Sequence, residues 1–123
     1  MKFSIEQNPD ALSIDAYSSG WIEIGGSRIC ESCIVYGTEV SLTVLPEQPE
    51  QLNREHLSNI LSREPELILL GTGPVLQFPA PDLIALASSN GVGLEAMDTR
   101  AACRVYNMLV GERRAVLAAL FML

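Results

Sequence analysis

A chain of 123 residues falls in the size range of one domain and buries roughly 65% of the surface its unfolded form exposes, so a core needs no disulfide staple. Hydrophobic residues at 48% against 19% charged ones exclude disorder, and no apolar run approaches the ~18 residues that span a bilayer. A net charge of −7 works against nucleic acid as a partner, because backbone binding needs Lys and Arg to displace counterions.

The N-terminus, MKFSIEQNPD, carries one lysine, an acid at Glu6 and no apolar stretch of signal-peptide length, so the cytoplasm is the expected address. The first third then reads as β. Leu12 to Tyr17 alternates apolar and polar, Trp21 to Ile24 repeats the period, and the Gly-Gly-Ser at 25–27 supplies a turn. Two more strands are expected near Cys30–Tyr36 and Glu39–Leu45 with Gly37-Thr38 as a tight connection, and the four together predict an N-terminal antiparallel β-meander.

After Pro46 and Pro49 the hydrophobic period lengthens to that of a helix. Asn53 is a good N-cap, Leu52 and Leu57 occupy staple positions, and Pro65 ends the helix. Glu66–Leu70 is a short continuous apolar run, the pattern of a strand covered on both faces. Pro81–Ser89 reads as a helix stopped by Asn90-Gly91, followed by a strand over Val92–Met97. Asp98 or Thr99 caps a helix running to Val110, with Ala102, Val105, Tyr106 and Leu109 inward and Arg100, Arg104 and Asn107 on the other face. Arg114–Met122 closes the chain as a strand, although its alanines also suit a helix. The alternation of helices and strands predicts an open sheet with crossover helices, in a single domain over residues 1–123.

Four blocks, ELILLGTG (66–73), GLEAMDT (93–99), ACRVYNML (102–109) and ERRAVLAAL (112–120), resemble in order and spacing the Mth-type domain family across roughly residues 12–121. That family includes bacterial and archaeal proteins of undefined activity and a mitochondrial factor for assembling respiratory complex I. The resemblance implies a three-layer α/β Mth-like fold with a central mixed sheet. It also implies a non-enzymatic, assembly-factor-like module with a protein partner.

The candidate site follows from the parallel strands that end at Gly71 and Met97, whose carboxyl ends share one edge of the sheet, where open α/β folds bind ligands. Gly71 and Gly73 allow close backbone approach, Thr72 offers a hydroxyl, and the helix start at Asp98 and Thr99 presents free N–H groups with a positive dipole end. Arg100 and Arg104 add charge-assisted donors, and Asn107 is placed to tie the helix to the Gly-Thr-Gly loop. They belong to the one basic stretch of the chain: residues 99–123 hold four arginines and a single acid, against four basic and fourteen acidic residues before them. A partner's carboxylate would suit such a cleft, in a protein that is a monomer or homodimer; the alternative is a small molecule or small anion held in the same cleft, by a binding protein or an enzyme of unknown class. Each residue also has an ordinary structural role, as a packing glycine, a helix cap or a loop tie.

Cys30-x-x-Cys33 has redox spacing but lies in a strand pattern, where residues three apart face opposite sides. A zinc site would need four ligands and only Cys103 and His56 remain, so no metal and no cofactor are expected. His56 stands alone at the first turn of a helix with no nucleophile around it.

Overall fold

The small N-terminal sheet forms first along the chain. The computed structural model describes residues 10–123, so the expectation for MKFSIEQNPD falls, apart from Asp10, outside the described residues. Strands β1 (Ile14–Ser18), β2 (Trp21–Ile24) and β3 (Ser27–Ile29) pair antiparallel in that order. Ile14, Tyr17, Ile22 and Ile24 point to one buried face. Gly25 and Gly26 both have positive φ (58° and 84°), the geometry of the two-residue hairpin turn that follows the strand twist.

The expected four-strand meander is divided. Residues 30–32 leave the small sheet, and β4 (Cys33–Tyr36) with β5 (Glu39–Ser41) form a hairpin in the central sheet instead. The reason lies in β4, where Cys33, Ile34 and Val35 are all fully buried. A strand with apolar side chains on both faces needs cover on both, which a half-exposed meander does not provide. The strand expected over Glu39–Leu45 stops at Ser41, and Leu42–Leu45 bend away.

Helix α1 (Arg54–Leu61) has only eight residues, short of the roughly 12–15 at which a helix holds itself together in water. It depends on Leu57 and Ile60, both buried, each contributing about 1.5–3 kcal/mol by leaving water. Its first turn closes reciprocally: the Asn53 side chain accepts from the His56 N–H at 3.0 Å, and His56 Nδ1 accepts from the Asn53 N–H at 3.0 Å. The lone histidine is thereby a helix cap.

Strand β6 (Leu67–Thr72), helix α2 (Pro81–Ser89), strand β7 (Gly93–Met97), helix α3 (Thr99–Gly111) and strand β8 (Val116–Phe121) complete the order β5-β4-β8-β6-β7. β6 runs parallel to both β7 and β8, and β4 runs antiparallel to β8, so the central sheet is mixed. All six residues of β8 are buried, which removes the helical alternative for this segment. Leu117, Ala119 and Phe121 face α1 and α2, while Val116, Ala118 and Leu120 face α3. One side of the sheet thus carries α1 and α2. The other carries α3 together with the three-stranded sheet, which gives the three-layer Mth-like architecture.

Asn107 is not on the outer face of α3 with Arg104. It is 1% exposed: its Oδ1 accepts from the Ile14 N–H and its Nδ2 donates to the Ile14 carbonyl, both at 2.8 Å. The tie runs to β1 and not to the Gly-Thr-Gly loop, because the small sheet lies along the flank of α3 and widens its buried face. Tyr106 assists, donating its hydroxyl to the Leu12 carbonyl at 2.7 Å.

Candidate functional site

β5, β6, β7 and β8 run in one direction, so their carboxyl ends and the start of β4 meet at one edge of the sheet. At that edge Gly71 is a close-approach position. A Cβ there would lie 3.0 Å from Leu120 Cδ2 and from Thr99 Oγ1, and 3.1 Å from Ala102 Cβ. Gly73 takes φ 94°, a region that favours glycine. Between them Thr72 closes the loop that follows: its hydroxyl donates toward the carbonyls of Val75 (2.8 Å) and Met97 (3.2 Å) and accepts from the Gln77 N–H (3.0 Å).

Thr99 is the hub of the junction. Its buried hydroxyl donates to the Phe121 carbonyl at 2.6 Å and accepts from the Gly73 N–H at 2.8 Å, while its own N–H donates to the Gly73 carbonyl at 2.8 Å. Asp98 caps α3 by accepting from the Ala101 N–H at 2.9 Å. The loop and the helix start are therefore brought together, but in direct contact: the open space expected between them is filled by the Gly71–Ala102 and Gly73–Thr99 contacts. Arg100 and Arg104 turn toward the small sheet, where Arg104 donates to the Tyr17 hydroxyl at 2.8 Å and Arg100 reaches the Ser19 hydroxyl at 3.5 Å.

An open cleft of about 630 Å³ lies on the opposite side of the Gly-Thr-Gly loop. Thr72 and Gly73 form one wall with Val75 and Gln77, and residues 30–32, Leu42 and 45–49 form the other. Phe121 and Met122 contribute to its lining. It opens where the chain leaving β6 turns toward α2 while the chain leaving β8 turns toward the small sheet, where the Gly20 N–H donates to the Leu123 carbonyl at 3.0 Å. Such divergence at strand carboxyl ends is how open sheets create binding crevices.

The far wall and the rim were not picked out from the sequence. Val75, Leu76 and Phe78 are 61%, 46% and 81% exposed, and Leu42 is 41% exposed. A signal for them exists in PVLQFPAP (74–81), where prolines forbid a central strand and leave the intervening apolar residues without a sheet to enter.

The cysteines do not form a pair. Cys30 is exposed at the cleft, whereas Cys33 and Cys103 are buried in the core beneath α3. Burial, and to a lesser degree Glu31, pushes the Cys33 thiol up to about 12. Burial, then Cys33, does the same for Cys103, to about 12. Neither supplies a thiolate near neutral pH.

Fold and edge define a class: a three-layer α/β domain whose mixed sheet opens a cleft of mixed polar and apolar lining at its carboxyl edge, with Glu31 and Glu47 as its charged residues. Residues 14–121 match the family described as "Protein of unknown function (DUF498/DUF598)", and the chain belongs to that family. It is 33% identical over 111 residues to the NADH dehydrogenase (ubiquinone) 1 alpha subcomplex assembly factor 3 of Xenopus tropicalis, across 89% of this chain and 60% of that relative. It thus spans less than two thirds of that relative's length. A crystal structure of a Bordetella parapertussis protein superposes with a TM-score of 0.86 at 29% identity, covering 94% of this chain and 99% of that one. The solution structure of a Bordetella pertussis protein described as a Mth938-like domain superposes with a TM-score of 0.78 at 25% identity, covering 99% and 92%. The Mth-like resemblance and the fold it implied both hold. Among the described residues no helix is long and apolar enough to cross a membrane.

Proposed function

We propose that residues 1–123 act as one non-enzymatic protein-interaction module of the assembly-factor kind, and that the cleft beside the Gly-Thr-Gly loop is its working surface. The observation that carries this is the exposure of apolar side chains at the crevice: Leu42 and Val75 line it, and Leu76 and Phe78 are exposed on the loop that continues its wall. Surface patches of that kind mark contact sites. In this reading Thr72 and Gly73 line the surface, and Asp98 and Thr99 position it. Hydrogen bonds within the fold support that division: Thr72, Asp98 and Thr99 each bond a backbone group, and the Gly73 N–H donates to the Thr99 hydroxyl. Arg100, Arg104 and Asn107 serve the docking of the small sheet. Work in the cytoplasm is part of the proposal, and three unpaired thiols suit a reducing compartment.

One observation favours a second reading. The cleft volume lies within the range of small-ligand sites. Glu31 and Glu47 on its walls disfavour an anion, so that ligand would be neutral or cationic.

A photo-crosslinking side chain placed at Val75 in the producing cell tests the proposal, with Glu112 as the control position. The expected result is a discrete protein adduct from Val75 and not from Glu112. Failure to obtain any adduct, together with a thermal upshift by a metabolite, would shift the assignment to the second reading.

A further inference from the structure

The cleft does not end at Pro49. A second depression of about 280 Å³ adjoins it, and Pro49, Thr72 and Gln77 line both. Glu50, Leu52, Phe78 and Pro79 extend the surface toward α2. Of the six large hydrophobics exposed among the described residues, Leu42, Val75, Leu76 and Phe78 lie on this groove or in the loop that forms its wall. Every charged side chain among the described lining residues is acidic: Glu31, Glu47 and Glu50.

The loop bearing the apolar groups is held in place. Pro74 and Pro79 restrict its backbone, and the Thr72 hydroxyl bonds Val75 and Gln77 from beneath. Val75 and Phe78 are therefore exposed on a preorganised support, which lowers the ordering cost of binding.

Resting on the interaction-module reading, we propose that this groove takes a segment of a partner protein whose apolar side chains alternate with Lys or Arg. The apolar groups fill the two depressions, and the cations face Glu31, Glu47 and Glu50. Charge decides among occupants. A second copy of this chain in a two-fold contact would set the same acidic residues against each other. A bilayer surface rich in anionic lipid would be repelled by the same rim. A basic, apolar segment satisfies both the surface and its charge.

The probes are a labelled peptide of Leu and Lys, the same peptide with Glu in place of Lys, and a lysine-only peptide, titrated by fluorescence anisotropy. The Leu/Lys peptide should bind at least about tenfold tighter than either other, a difference in RT ln K of about 1.4 kcal/mol. Val75→Ser with Phe78→Ser should lower its affinity at least about tenfold while melting stays close to wild type, as both side chains are largely exposed. Glu47→Lys with Glu50→Lys should invert the preference toward the Glu peptide. Glu64→Lys with Glu112→Lys, equal in charge and off the groove, should not. Equal loss with the off-groove pair overturns the proposal by exposing a general charge effect, as does binding indifferent to Val75 and Phe78. If no peptide binds while the Val75 crosslink persists, the partner chemistry is wrong and the module reading stands. If the crosslink is also absent, both fall.

Discussion

Asn107 offers the sharpest test of how the two sheets are joined. β1 is an edge strand, and the Asn107 carboxamide meets the N–H and the carbonyl of Ile14 as a neighbouring strand would. Ile14 is fully buried, so water cannot replace either bond. Asn107→Leu keeps the volume but orphans both groups. At about 1–3 kcal/mol for each, less about 1 kcal/mol that the apolar replacement recovers, the loss should be about 1–5 kcal/mol. For a domain of this size that lowers the melting temperature by up to about 20 °C. Asn107→Asp is the control, since its carboxylate still accepts from the Ile14 N–H but cannot donate to the carbonyl. Burial and that carbonyl raise its carboxyl above the unfolded value, so native stability is full below the unfolded value and is lost as pH rises from there through the raised one. Urea melts across pH, with hydrogen exchange at the Ile14 amide, read both effects. A Leu variant within about 0.5 kcal/mol of wild type, or an Asp variant with no recovery in acid relative to wild type, would refute the strand-mimic account.

Other expectations follow from the same edge and core. Gly71→Ala should cost about 1–3 kcal/mol by overpacking against Thr99 and Ala102, and a double-mutant cycle with Ala102→Gly should show coupling beyond additivity. Thr99→Val leaves the Gly73 N–H and the Phe121 carbonyl without their buried partner and should lose about 2–4 kcal/mol in denaturant melts, whereas Thr99→Ser should stay within about 1 kcal/mol. Native labelling with a disulfide reagent at pH 8 should modify Cys30 alone, with Cys33 and Cys103 reacting only after unfolding, and a second native thiol would contradict their burial. Because burial raises both inner thiols from 9.0 to about 12, stability should hold below about pH 9. Above it, stability should fall by up to about 1.4 kcal/mol per pH unit for each thiol, and Cys33→Ala or Cys103→Ala should flatten the decline.

Local chemistry settled much of this protein before any fold existed. Asn53, Pro81 and Asp98 start the three helices because capping and φ restriction depend on neighbours a few residues away. The run Leu67–Leu70 and the change of period after Pro49 are equally local, and they mark a covered strand and the passage from strands to helices. Position in space is another matter. That β4 parts from β3 and pairs on its other side with the distant β8, Val35 opposite Ala118, depends on which sheet has two faces to cover it. Whether Asn107 faces water or Ile14 depends on a strand 93 residues away lying along α3. The same holds for the Gly-Thr-Gly block. Its glycines were legible as places of close approach, but only the tertiary structure decided what approaches: Thr99 and Ala102 fill one side, and the crevice opens on the other. Side-chain type and spacing carry conformational preference, while the partner that satisfies it is chosen by long-range packing.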